Sequence, residues 1–92
     1  MQVGICNIKF VVPDSFSLKD KRQVTQSLFK KLRNNFNVSI AEESVDSWKD
    51  VYITVVSVNT ERSHLFSTLS KVVEFIKSEP RVVLEDYHIE II

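Results

Sequence analysis

The sequence predicts an α+β fold of the ferredoxin-like kind, a four-stranded antiparallel sheet with two helices on one face. Three observations lead there. A long alternating segment opens the chain at Gln2–Val12. Two amphipathic helical segments follow, one after Ser17 and one after Asn59–Thr60. Between and after them lie segments rich in β-branched residues, so the order reads βαββαβ. Right-handed crossovers then place both helices on the same side of the sheet, in the strand order 4-1-3-2.

In the first strand, Gly4, Cys6, Ile8, Phe10 and Val12 share one face and are the expected core set. Val3, Ile5, Asn7, Lys9 and Val11 share the other. Pro13-Asp14-Ser15 breaks the strand. Ser17 is a good N-cap, and Asp20 three residues on completes a box-like pattern while facing the positive end of the helix dipole. Val24, Leu28 and Leu32 recur every four residues, with Leu18 and Phe29 beside them, giving an apolar face. Lys21 lies nearer that side, where its stem can run along the core.

The second strand covers Asn37–Ala41, with Val38 and Ile40 alternating against polar neighbours. Glu43–Asp50, acidic and polar around Trp48, suits a hairpin connection. Val51–Val58 is an almost unbroken β-branched run, as a central strand requires, and both of its faces are apolar. Asn59 or Thr60 can cap the second helix, which buries Leu65, Leu69, Val72, Val73 and Ile76, and Glu79-Pro80 ends it. Val82–Ile92 forms the last strand. The sheet face away from the helices is expected to carry Val3, Ile5, Tyr52, Val56, Tyr87, Ile89 and Ile91, more apolar surface than a lone monomer shows to water.

Ninety-two residues make one domain, residues 1–92, burying about 65% of the unfolded chain's surface. The hydrophobic fraction of 43% against 26% charged residues is that of a soluble globular protein. Twelve basic and twelve acidic residues cancel, which argues against a general polyanion binder. Their distribution is uneven. Residues 1–41 hold seven basic and two acidic residues, a net of +5, and residues 42–92 hold five basic and ten acidic, a net of −5. Cys6 is the sole cysteine, so no internal disulfide forms and a reducing, cytoplasmic setting is expected. No signal peptide is evident, and no apolar stretch is long enough to span a membrane.

The first helix carries the most distinctive feature. Lys19, Arg22, Gln26, Lys30 and Arg33 fall within roughly 80° opposite the apolar side. That stripe has four cations and no acid, whereas surface helices usually mix signs at i, i+4. A solvated face is the plainer account of any single lysine.

The blocks Ser17-Leu18-Lys19-Asp20-Lys21-Arg22, Leu32-Arg33-Asn34 and Phe36-Asn37-Val38-Ser39-Ile40-Ala41-Glu42, with Trp48 after them, resemble the YlxP-like family of small bacterial proteins. The resemblance covers essentially the whole chain. It implies a ferredoxin-like fold and, from gene neighbourhoods of translation initiation and ribosome maturation, a link to RNA or the ribosome. It supplies no catalytic residues.

No catalytic motif stands out. His64 and His88 sit in different elements without metal-spaced neighbours, and Cys6 has no base placed beside it. Asp86, His88 and Glu90 alternate along one strand face, more simply a solvated face than a cation site. Gly4 alone cannot build a phosphate-cradling loop. No cofactor, metal or small-molecule substrate is implied. The order βαββαβ is shared with RNA-recognition modules, but the sheet strands lack their stacking aromatics. Two functions remain. One is a non-catalytic RNA- or ribosome-binding protein using Lys19, Arg22, Lys30 and Arg33, with Trp48 able to stack on a base. The other is a protein-interaction domain that forms a homo-oligomer through its sheet face or last strand, where Glu90 alone interrupts the isoleucines.

Overall fold

The computed structural model describes all of residues 1–92. Strand β1 spans Gln2–Val11, helix α1 Leu18–Asn35, strand β2 Ser39–Glu42, strand β3 Asp50–Asn59, helix α2 Arg62–Lys77 and strand β4 Val83–Ile91. All strand pairs are antiparallel, in the order β2-β3-β1-β4. This is the α+β, ferredoxin-like arrangement that the element order predicts.

Alternation in β1 decides the core. Cys6, Ile8 and Phe10 are buried, and they pair with Val55, Ile53 and Val51 of β3. Residues directly opposite in an antiparallel pair share a face, so the undecided face of β3 is resolved by its partner. Leu28, Phe29 and Leu32 of α1 and Leu69, Val72, Val73 and Ile76 of α2 close the same cluster. Gly4 lies under α2, where an added Cβ would stand 2.8 Å from Leu69 Cδ1. The missing side chain lets helix and sheet approach there.

Three expectations are corrected. Tyr87, Ile89 and Ile91 pair with Ile8, Cys6 and Gly4, so they turn to the helix side, not to the open face. Alternation separates two sets in a strand without saying which faces inward, and here the apolar set joins the covered side beside α2. The open face instead receives Asp86, His88 and Glu90, opposite Lys9, Asn7 and Ile5. Second, the inward line of α1 is Lys21, Thr25, Leu28 and Leu32, whereas Val24 is half-buried and Leu18 is exposed. Third, α2 starts from Glu61 without a side-chain cap, and Asn59 Oδ1 instead accepts from Glu61 N at 3.0 Å. No helix is long and apolar enough to cross a membrane.

Candidate functional site

The start of α1 is fixed by several independent contacts. Asp20 N donates to Ser17 Oγ at 3.0 Å, and Asp20 Oδ2 accepts from Phe16 N at 3.1 Å. The cap is reciprocal, although the carboxylate reaches one residue further back than in the standard box. One turn on, Lys21 is only 4% exposed, and its Nζ donates to Ser47 O at 2.6 Å and Asp50 O at 3.1 Å. These bonds satisfy an ammonium that would be costly to bury alone. From the opposite direction, Lys49 Nζ donates to Pro13 O and Ser15 O and sits 4.9 Å from the centre of the Phe16 ring. Two lysines thus tie the β2–β3 connection to the beginning of α1.

That anchoring sets the rotation of α1 about its axis. With Lys21, Thr25, Leu28 and Leu32 inward, Lys19 and Lys30 point directly away from the sheet, and Arg22 and Arg33 lie on the flank toward β2. All four are exposed, and none has a carboxylate within 4.0 Å. From Lys19 to Arg33 the row extends about 21 Å along the axis. Arg33 donates to Ile40 O at 3.3 Å and lies 5.9 Å from the Phe29 ring centre. Arg22 borders a shallow hollow that it shares with Glu42 and Glu43, so the stripe is less uniformly basic at that point. Lys31, on the other flank, pairs with Glu79 at 3.9 Å. Trp48 is 58% exposed, but it lies beside Val11 and Pro13, apart from the stripe.

The opposite layer carries the opposite sign. Glu43, Asp50, Glu85, Asp86 and Glu90 stand on the open sheet face with Lys9 among them. Lys9 Nζ lies 2.7 Å from Glu85, 4.0 Å from Asp50 and 5.4 Å from the Tyr52 ring centre. The hydrogen bond to Glu85 raises the Lys9 pKa above its ordinary value. No group of three or more His, Cys, Asp or Glu side chains converges to hold a metal ion. Burial pushes the Cys6 thiol up to about 11, against a smaller downward effect of the His88 backbone. Cys6 is therefore a neutral core residue near pH 7.

A profile described as a protein of unknown function, DUF503, matches residues 3–89. The chain belongs to the DUF503 family. Among curated proteins, it is 31% identical over 81 residues to the uncharacterized protein YlxP of Bacillus subtilis (strain 168), covering 87% of this chain and 88% of that one. That agrees with the resemblance carried by the Ser17–Arg22 and Phe36–Glu42 blocks. The DUF503 description names no reaction. Among solved structures, the de novo designed protein Foldit4 superposes with a TM-score of 0.54 at 9% identity, over 100% of this chain and 97% of that one. This likeness concerns the fold alone.

The structure also divides the DUF503 blocks by role. Ser17, Asp20 and Lys21 serve the helix start and its clamp, whereas Lys19 and Arg22 face solvent. Lys21's inward position was legible from its place near the apolar side. Lys49's clamp had no signal, because its partners are backbone carbonyls far away in the chain.

Proposed function

We propose that this DUF503 protein is a non-catalytic, cytoplasmic RNA- or ribosome-associated module, gripping phosphates with Lys19, Arg22, Lys30 and Arg33. The observation that carries the reading is the row of four exposed cations, without ion-pair partners, on a helix whose rotation is locked by the Lys21 clamp. Such groups remain available for phosphate oxygens, and a rigid helix presents them in a set line. The acidic open face supports the same orientation, because it repels a polyanion and leaves the helix layer as the side of approach. Sequence readout is not part of the function, since the sheet offers no stacking pair and Trp48 stands apart.

The test is salt-dependent binding of single-stranded RNA and of ribosomal subunits. Four phosphate contacts give a log–log slope of about −2.8 on single-stranded RNA. The Lys19→Ala, Arg22→Ala, Lys30→Ala, Arg33→Ala variant should stay folded, melting at most a few degrees below the wild type because the bond from Arg33 to Ile40 O is lost, and should lose most binding at low salt. Unchanged affinity and slope in that variant, or no binding by the wild type at low salt, would refute the reading.

A further inference from the structure

We propose that β4 pairs with β4 of a second copy, antiparallel about a two-fold axis at Ile89, and joins two sheets into one of eight strands. The inference is independent of the RNA reading, because α1 packs toward the far edge of the sheet.

The edge itself is open. Val3 and Ile92 exchange both backbone bonds, at 3.1 and 2.8 Å. Hydrogen-bonded pairs recur at every second residue, so Glu90 and His88 also turn their amides toward β1. Ile91, Ile89 and Tyr87 therefore turn theirs outward, to an unpaired edge. Only the Tyr87 amide is satisfied, by Asp86 Oδ1 at 2.9 Å. Beyond it, the register shifts between Lys9 and Phe10. The pairing-competent segment thus runs from Tyr87 to Ile91.

Side chains select the register. With Ile89 facing Ile89, Tyr87 of each copy stands opposite Ile91 of the other on the helix side. On the open face, His88 stands opposite Glu90, twice. Every pair is apolar or joins a carboxylate to an imidazole, the kind of cross-strand pairing that stabilises a sheet. With His88 facing His88, Asp86 meets Glu90, acid against acid. With Tyr87 facing Tyr87, the amides capped by Asp86 lie at the axis and pairing runs into the shifted segment, whereas the Ile89 register meets that capped amide only at the ends of the paired segment. With Glu90 facing Glu90, two acids meet at the axis, so of these four registers only the Ile89 one has the self-complementarity that an isologous contact needs.

The apolar surface beside the edge fits the same occupant. A groove of about 850 Å³ runs between α2 and β4, lined by Phe66, Ile89 and Ile91 with Glu61, Arg62 and Ser63. Phe66 is 56% and Tyr87 45% exposed. In the Ile89 register, Tyr87 of the second copy arrives beside Ile91 at this groove and covers what each chain leaves open.

Disulfide trapping tests it. Positions 88 and 90 of opposite copies form a non-hydrogen-bonded pair with Cα atoms about 4.5 Å apart, within disulfide reach. Oxidising a mixture of His88→Cys and Glu90→Cys proteins should give the mixed disulfide dimer, and neither variant alone should crosslink efficiently. Buried Cys6 does not compete. Crosslinking of His88→Cys with itself, or none in the mixture, would overturn the proposal. Sedimentation velocity across the micromolar range should show a wild-type dimer and a monomeric Ile89→Lys variant with a retained circular dichroism spectrum. A wild-type monomer throughout that range would also overturn it. Should Ile89→Lys unfold, the cysteine pairs still decide, because both positions are exposed.

Discussion

The two edges of the sheet are built on opposite principles. β2 is four residues long, ends at Glu42 with Glu43 following, and has its Ile40 carbonyl held by Arg33. β4 is nine residues long and ends at Ile91 with Ile92 following. Short length and charge blunt one edge, as natural sheets commonly require. The other keeps unpaired backbone beside an apolar groove. The difference shows that lateral contact is discouraged at the side where α1 carries its cations and left open at the side of α2.

Removing the clamp at the β2 side should have the largest effect on stability. Lys21→Ala deletes two charge-assisted bonds and leaves the Ser47 and Asp50 carbonyls short of a donor, for a loss of about 3 kcal/mol. Urea unfolding measures the loss, and hydrogen exchange should quicken in β2 and β3 before β4. Uniform quickening would mean that the clamp supports the whole sheet equally.

The approach to β4 rests instead on an ion pair, Arg81 with Glu79. Glu79 is buried, and hydrogen bonds from the Arg81 side chain, with its backbone amide and Lys31 adding to them, hold the Glu79 carboxyl down at about 2. A carboxylate with a lowered folded pKa stabilises above its ordinary, unfolded value near 4.5. That stability disappears as pH falls from about 5 toward 2. Arg81 is half exposed, so the contribution is on the order of 2 kcal/mol after screening. Glu79→Gln should therefore be less stable than wild type at pH 7, and the two urea midpoints should converge near pH 2. A gap that stays constant over that range would assign the effect to packing instead.

Gly4→Ala probes the α2 side from beneath. The new methyl meets Leu69 Cδ1 in a fully buried site, so Leu69 must shift at a cost of about 1 kcal/mol, visible as a lower melting temperature. An unchanged melt would mean that Leu69 moves freely and that α2 is loosely seated over β4. Smallest of all, Arg33→Ala should cost about 0.5 kcal/mol in urea unfolding, since its bond to Ile40 O is exposed. A larger loss would make Arg33 a structural prop of β2 rather than an available cation.

These edges were unequally legible in the sequence. The core set of β1 and the Ser17 cap could be read directly, because strict alternation and a polar side chain before an apolar period have few other meanings. The inward face of β3 could not, since Val51, Ile53 and Val55 alternate with the nearly equivalent Tyr52, Thr54 and Val56. Only pairing with β1 breaks that tie. In β4 the apolar set was evident, but its side was misjudged. Parity there depends on the register against β1, which local pattern does not contain. The cationic row was legible as a stripe. Its separation from Trp48, and the carbonyl partners that Lys21 finds on the inward side, depend on how the hairpin folds back against α1.

The placement of charge in two layers has a further consequence. A chain with equal numbers of acids and bases has no net charge to act at long range, yet cations on α1 and acids on the open face put the two signs on opposite sides of the sheet. Such a body is rotated by an external field more than it is pulled. If α1 is the phosphate-binding side proposed above, this separation turns that side toward an anionic surface before contact, and productive collisions outnumber those expected from random orientation. This orientational gain acts over about 10 Å at 0.1 M salt and shrinks as ions are added. Association should therefore slow with salt even though the protein carries no formal net charge.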